Sequence, residues 1–190
     1  LDHLRRFAEE LQRYPIAGID LNLGCPAPRV YRKNVGGGLL RDPDRIRTIL
    51  LGLREVCSCP LTVKTRIGFA GSENFDRILD AFASAEIDLV SLHARTVKDG
   101  YRARPQYDYV ARAVDLLSCP VLLNGEVLCA KQALEAVENT GAAGVMIGRS
   151  AIRNPWIFRQ IRDLHAGREP FVPLLCDLYD YVNKLKFALS

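Results

Sequence analysis

Gly18-Ile19-Asp20-Leu21-Asn22-Leu23-Gly24-Cys25-Pro26 is the segment on which the architecture turns. Gly18 to Leu23 reads as a short buried strand that stops at Gly24 and leaves an asparagine, a cysteine and a proline at its C-terminal mouth. Glycine admits unusual torsions and proline drives the preceding residue out of the helical region, so the Gly-Cys-Pro turn fixes how the thiol is presented. Most free cysteines are inert packing residues, and Cys25 taken alone fits that description too.

The flanking chain repeats a strand-then-helix rhythm. Residues 1–13 pattern as a helix with Leu1, Leu4, Phe7, Ala8 and Leu11 on one face. After Pro26 comes a basic loop (Arg29, Arg32, Lys33) running into Gly36-Gly37-Gly38. Asp42-Pro43 then supplies an N-cap and a first-turn proline for a helix with the stripe Ile46, Ile49, Leu50, Leu53 and Val56. Further strands are expected at 60–67, 89–92, 120–123 and 144–147, with helices at 74–85, 107–117 and 130–139 between them. A polar loop, 97–106, holds Tyr101. Asn154-Pro155 is expected to cap a helix containing Trp156, Ile157, Phe158 and Ile161, and residues 166–190 read as a loop and one more helix.

Strands alternating with amphipathic helices imply a parallel sheet, and short apolar strands suggest one covered on both faces. An open doubly wound sheet and a (β/α)8 TIM barrel both satisfy that rhythm. The open sheet usually carries Gly-x-Gly-x-x-Gly after its first strand, and Gly36-Gly37-Gly38 is not that fingerprint. The five strands finish in Asn22/Cys25, Lys64/Arg66, His93, Asn124 and Gly148/Arg149, all polar, reactive or suited to phosphate. Barrels build their sites at that rim from several strand ends, so the expectation is an α/β barrel.

Bulk properties narrow the chemistry. A 190-residue chain that is 48% hydrophobic and 25% charged has the composition of globular material with one core. It shows neither an apolar run of transmembrane length nor a signal peptide, which leads us to expect a cytoplasmic protein with no membrane partner. The six cysteines have no framework spacing, and Cys57-Ser58-Cys59 is too tight for a zinc knuckle, so reduced thiols and no metal are expected. A net charge of +4 is compatible with a polyanionic partner without requiring one.

Gly148-Arg149, between a strand and a helix, suits a phosphate: glycine allows close approach and arginine adds charge. Lys64 points from a strand toward the same rim, where an ammonium would stabilise an anionic reduced flavin; His93 and Asn124 offer hydrogen bonds. Cys25 has no obvious histidine base, and an unperturbed thiol is mostly protonated at neutral pH, which suits a general acid as well as a nucleophile.

The collinear set Asp20-Leu21-Asn22-Leu23-Gly24-Cys25-Pro26, Val63-Lys64-Thr65-Arg66-Ile67-Gly68, His93-Ala94-Arg95-Thr96 with Gly100-Tyr101, Asn124-Gly125-Glu126, and Val145-Met146-Ile147-Gly148-Arg149 with Asn154-Pro155 resembles the tRNA-dihydrouridine synthases. The resemblance runs from residue 1 to about 165, and the loop Lys98 to Ala103 looks most like the bacterial C-type branch. It implies FMN as cofactor, NADPH as reductant, tRNA as substrate and Cys25 as the acid that protonates C5 of uracil. Asn22, Arg66 and Tyr101 would hold the uracil. Lys64 and His93 would contact the flavin ring, while Asn124, Gly125, Gly148 and Arg149 would take its ribityl-phosphate end. Glu126, counted with the cofactor contacts, stands where the family often has aspartate. Arg29, Arg32, Lys33, Arg102 and Arg104 would meet tRNA phosphates.

A barrel has eight strands in about 250 residues, and five are counted in this chain. Residues 1–165 are therefore expected to be the C-terminal five βα units of an FMN-binding barrel, with the family's first three strands preceding Leu1. Residues 166–190 would begin a helical tRNA-binding domain, in a protein that is monomeric at full length. Two other readings remain: an FMN barrel oxidoreductase acting on a small pyrimidine-like substrate, and a non-catalytic RNA-binding remnant.

Overall fold

Five strands, β1 (Ile19–Asn22), β2 (Leu61–Arg66), β3 (Leu89–His93), β4 (Val121–Asn124) and β5 (Gly144–Met146), form one parallel sheet whose spatial order is their order in sequence. The structure is a computed structural model that describes residues 1–189, so residue 190 of the expected C-terminal segment lies outside the described residues. A doubly wound sheet reverses direction at a switch point; successive neighbours without reversal are the arrangement of consecutive βα units in a (β/α)8 barrel. The register places Asn22 opposite Lys64, Lys64 opposite Ser91, and Arg66, His93, Asn124 and Met146 in one row across four strands.

The intervening helices are α1 (Asp2–Leu11), α2 (Pro28–Tyr31), α3 (Pro43–Arg54), α4 (Phe75–Ser84), α5 (Asp108–Leu116) and α6 (Ala130–Thr140). Asp42 caps α3 as its sequence requires, with Oδ1 accepting from the Arg45 N–H at 3.0 Å and Pro43 in the first turn. The α3 residues Ile46, Leu50 and Leu53 are buried alongside α4, whose Phe75, Ile78, Leu79 and Phe82 are buried in turn. One face of the sheet, through Leu61, Val63, Val90, Leu92, Val121 and Leu123, is buried and apolar. Each such side chain contributes about 1.5–3 kcal/mol on leaving water.

Three expectations change in the sheet and the elements around it. The strands are not apolar on both faces: β4, and β2 as far as Lys64, alternate buried with half-buried positions, and the second face carries Asp20, Thr62, Lys64, His93 and Asn124. The period-two geometry of strands sorts these residues away from the helices. The basic loop after Pro26 is partly helical, as α2 followed by a 3-10 helix over Gly36–Arg41. The apolar face of α1 buries Ala8 while Leu4 and Phe7 stay exposed.

The chain separates into two compact units, the first made of Leu1–Glu126 with Glu135–Ile147 and the second of Val127–Leu134 with the chain from Gly148 onward. The second contains α7 (Arg149–Arg153), α8 (Ile157–His165) and α9 (Leu175–Leu189). Asn154 does not cap α8. Trp156 takes that position, because the Asn154 carbonyl accepts from the Ile157 N–H at 3.1 Å while its side-chain amide donates to Gln160 at 2.8 Å. The Tyr181 hydroxyl donates to the Ile152 carbonyl at 2.7 Å, and its ring meets Trp156 at 5.8 Å between centroids. Among the described residues no helix is long and apolar enough to cross a membrane.

Candidate active site

The Cys25 turn is held from three sides. Asn22 Oδ1 accepts from the Gly24 N–H at 3.0 Å, which closes the turn on the end of β1. The Cys25 carbonyl accepts from the Gly37 N–H at 3.2 Å. A side chain at Gly37 would put its Cβ 2.7 Å from that carbonyl oxygen and 2.6 Å from Val97, and Gly36, at φ +53°, would put one 3.0 Å from Cys25 Cβ. The triple glycine, which the sequence left without a role, is the floor on which the half-buried Cys25 rests.

Arg66 forms the third side. Its guanidinium is buried, donating from Nε to the Gly24 carbonyl at 3.0 Å and from Nη1 to the carbonyls of Thr96 and Gly100, both at 2.9 Å. Its Cζ lies 5.5 Å from the centre of the Tyr101 ring. Burial lowers its pKa, and the neighbouring Tyr101 opposes that effect. Three of its five N–H groups are thus committed to the backbone of the two loops that carry Cys25 and Tyr101.

Asn124 organises the polar sheet face. Its Nδ2 donates to the Met146 carbonyl at 2.7 Å, which fixes its Oδ1 as the acceptor for His93 Nδ1 at 2.9 Å and Lys64 Nζ at 3.4 Å. Burial is the main reason the His93 pKa is pushed down to about 3; the nearby Arg66, Lys64 and Arg95 add to it, and the bond to Asn124 opposes it. Lys64 is lowered by burial and by Arg66, with Asp20 acting against them. At neutral pH the ring is a neutral hydrogen-bonding group set among cations.

The loop after β3 carries a buried guanidinium, that of Arg95, to which the sequence alone assigns no role. Arg95 donates from Nε to the Ala103 carbonyl at 2.6 Å, from Nη1 to His93 Nε2 at 3.4 Å, and from Nη2 to the Glu126 carboxylate. Strand alternation offered a signal, since it places residues 93 and 95 on one side of the chain. Thr96 and Asp99 close the start of the loop by exchanging bonds: the Thr96 N–H donates to Asp99 Oδ2 at 2.9 Å, and the Asp99 N–H to Thr96 Oγ1 at 3.1 Å. Tyr107 donates to the Gly125 carbonyl at 2.6 Å.

The first unit therefore brings together Lys64, Arg66, His93, Tyr101 and Asn124, adds Glu126 through Arg95, and sets the Cys25 turn on Arg66. Tyr101 is exposed, its ring 6.1 Å from His93, and Asn22 is exposed at the end of β1. Gly148 and Arg149 belong to the second unit, where both are exposed, and a Cβ on Gly148 would meet nothing within 4 Å. Arg29, Arg32, Lys33, Arg102 and Arg104 are all exposed. Lys98 lies 5.1 Å over the Tyr31 ring and Arg41 4.2 Å over Phe69. No group of His, Cys, Asp or Glu among the described residues could hold a metal ion. A face rich in cations and donors, next to a held thiol, suits an electron-rich ring that gains negative charge.

The family model described as Dihydrouridine synthase (Dus) matches residues 2–185. A probable tRNA-dihydrouridine synthase of Helicobacter pylori is 41% identical over 150 residues, covering 78% of this chain and 45% of that protein. The tRNA-dihydrouridine synthase B of Salmonella typhimurium is 35% identical, covering 88% and 56% respectively. The tRNA-dihydrouridine(16) synthase of Aquipseudomonas alcaligenes is 33% identical, covering 87% and 56%. The chain spans about half the length of these relatives, and the close identities of the last two do not single out a branch. Among solved structures, 6-hydroxypseudooxynicotine amine oxidase from Pseudomonas geniculata superposes with a TM-score of 0.64 over 87% of this chain and 29% of that one. At 14% identity, that likeness concerns the fold.

Proposed function

The chain belongs to the dihydrouridine synthase family, and from that membership we propose that its protein reduces a specific uridine of tRNA to 5,6-dihydrouridine, with FMN as cofactor and NADPH as reductant. The observation that carries this reading is the shared acceptor Asn124 Oδ1, which gathers Lys64 and a neutral His93 on the sheet face beside the Cys25 turn. The Lys64 ammonium, with N–H groups to spare beyond its bond to Asn124, fits a flavin. Lys64 would offer an ammonium to a ring that becomes negative on reduction, and no carboxylate makes a hydrogen bond with the Lys64–His93–Asn124 cluster among the described residues.

When bound, a flavin would supply the hydride for C6 of uracil, with NADPH as the source of its electrons. Cys25 gives the thiol proton to C5, so hydride and proton together saturate the C5–C6 double bond. Asn22, Arg66 and Tyr101 hold the uracil; Arg66 also keeps the Cys25 and Tyr101 loops in place. Lys64 and His93 contact the ring of the cofactor. Asn124 and Gly125 would take its ribityl chain, and Gly148 and Arg149 would take its phosphate. Glu126 acts through Arg95.

The uridine edge lies within stacked tRNA, so the base is turned out to reach the thiol. Arg29, Arg32, Lys33, Arg102 and Arg104 meet phosphates of the surrounding RNA, giving binding that weakens with salt. On this reading residues 1–165 belong to the FMN-binding barrel, the chain from about 166 begins the helical tRNA-binding domain, and the protein works in the cytoplasm.

The test incubates the full-length protein containing this chain with unmodified tRNA, FMN and NADPH, and weighs the nucleosides by mass spectrometry. Conversion of uridine to dihydrouridine that is lost in Cys25→Ala, with flavin reduction by NADPH retained, is the expected result. Turnover of a free pyrimidine without tRNA would move the assignment to a small-molecule reductase, and absence of bound flavin would end the redox reading.

A further inference from the structure

We propose that Arg95 is a positioning residue that locks His93 into one tautomer and straps the Tyr101-bearing loop to the strand ends. The role rests on the uridine-reductase reading only in naming the reaction that the positioning serves.

The tautomer follows from the two ends of a hydrogen-bond chain. At one end the Met146 carbonyl can only accept, so Asn124 donates to it and turns its oxygen toward His93. His93 must then carry its proton on Nδ1. At the other end a guanidinium can only donate, and Arg95 Nη1 points at Nε2 from 3.4 Å, where a neutral ring keeps its lone pair. The chain Arg95 to His93 to Asn124 to Met146 therefore runs in one direction. Both ring nitrogens are occupied, and burial beside Arg66, Lys64 and Arg95 opposes a second proton. His93 is a fixed, neutral contact and not a proton carrier, which leaves the thiol of Cys25 to supply the proton.

The same guanidinium holds two other segments. Nε grips the Ala103 carbonyl at 2.6 Å, two residues beyond Tyr101, and Nη2 pairs with Glu126. Glu126 sits at φ +55°, a region that L residues avoid, so its backbone is kept there by its surroundings. A buried guanidinium stripped of partners is strongly destabilising, so these three bonds hold as a set. One side chain thus fixes the ring on the cofactor side and the loop on the uracil side.

The experiment uses the full-length protein and Arg95→Lys, which keeps the charge and loses the fork. Nitrogen-15 labelled histidines, with the His93 signals identified by their loss in His93→Gln, report the tautomer through two-bond proton–nitrogen correlations. Wild type is expected to show Nδ1 protonated and Nε2 bare at neutral pH, and Arg95→Lys a mixture of tautomers. Amide exchange in residues 97–106 should quicken about tenfold or more in the variant as local opening becomes easier. Turnover should fall roughly 10- to 100-fold as the reacting groups lose alignment. An unchanged His93 pattern together with unchanged exchange in that loop would overturn the proposal. If Arg95→Lys does not fold, Glu126→Gln removes the paired charge at equal size, and exchange in 97–106 at the wild-type rate in that variant would overturn it too. A wild-type protein that makes no dihydrouridine defeats the functional reading alone, because the tautomer and exchange measurements still judge Arg95.

Discussion

Arg66 donates from Nε to the carbonyl of Gly24 at 3.0 Å, so the residue before Cys25 is bolted to the end of the neighbouring strand. Because the same side chain holds Thr96 and Gly100, the thiol turn and the Tyr101 loop share one anchor. Arg66→Lys leaves buried carbonyls without donors and is expected to cost about 2–4 kcal/mol. Urea unfolding measures the loss. Alkylation of Cys25, followed by peptide mass spectrometry, should accelerate in the variant; an unchanged alkylation rate would refute the anchoring role.

Gly37→Ala forces a methyl group against the Cys25 carbonyl and Val97. Overpacking of this kind costs about 1–3 kcal/mol, and here the strain falls on the thiol turn. If the proposed reaction is the protein's own, uridine reduction should drop more than the melting temperature suggests. Gly148→Ala, with open space around its Cβ, should leave the melting temperature unchanged and weaken FMN binding. Equal, mild effects of both variants on both measurements would contradict this assignment.

Lys64 is held below its usual pKa, chiefly by burial, with Arg66 adding to it. A base whose folded pKa is depressed weakens the fold at neutral pH, and stability recovers as the pH rises through the folded value toward that of the unfolded chain. Lys64→Met should therefore leave the flavin-free protein as stable as wild type or more so, while FMN affinity falls at least about tenfold. Chemical denaturation and flavin fluorescence titration give the two numbers. A variant that is less stable yet binds FMN normally would reverse the assignment.

His93 titrates at about 3 in the folded protein against 6.5 for the free group. Between these values the unfolded chain binds a proton that the native protein refuses, so stability falls as pH drops below about 6.5, by up to roughly 1.4 kcal/mol per pH unit. Comparing urea midpoints at pH 7 and pH 5 in wild type and His93→Gln isolates the effect, because carboxylates titrate lower. The slope should flatten in the variant; identical slopes would assign it to other groups.

The sequence disclosed the strand order, because glycine, proline and polar residues punctuate each βα unit and the Asp42-Pro43 cap is read locally. It also named Lys64, His93 and Asn124, since alternation and strand-end position are enough to find them. It did not disclose why Gly36-Gly37-Gly38 is there. That reason is a backbone approach to Cys25 across a turn, a contact made in space and invisible as a pattern. Arg95 was missed for a related cause: a buried arginine reads as a surface one until the carbonyl and carboxylate around it are seen. Asn154 misled because an Asn-Pro pair resembles a cap, while Gln160 competes for its side chain.

Asn124 precedes Gly125, and an asparagine followed by glycine is the pair most prone to spontaneous loss of the side-chain amide, since nothing shields the next backbone nitrogen that attacks it. Conversion to aspartate would put a carboxylate between Lys64 and His93 and remove the donor to Met146. The three bonds that orient this carboxamide also restrain it from folding back on its own chain, and the Tyr107 hydroxyl holds the Gly125 carbonyl one peptide further on. The bonds that prepare this carboxamide for the site are thus the same ones that oppose its loss, and opening of the fold would remove both services together.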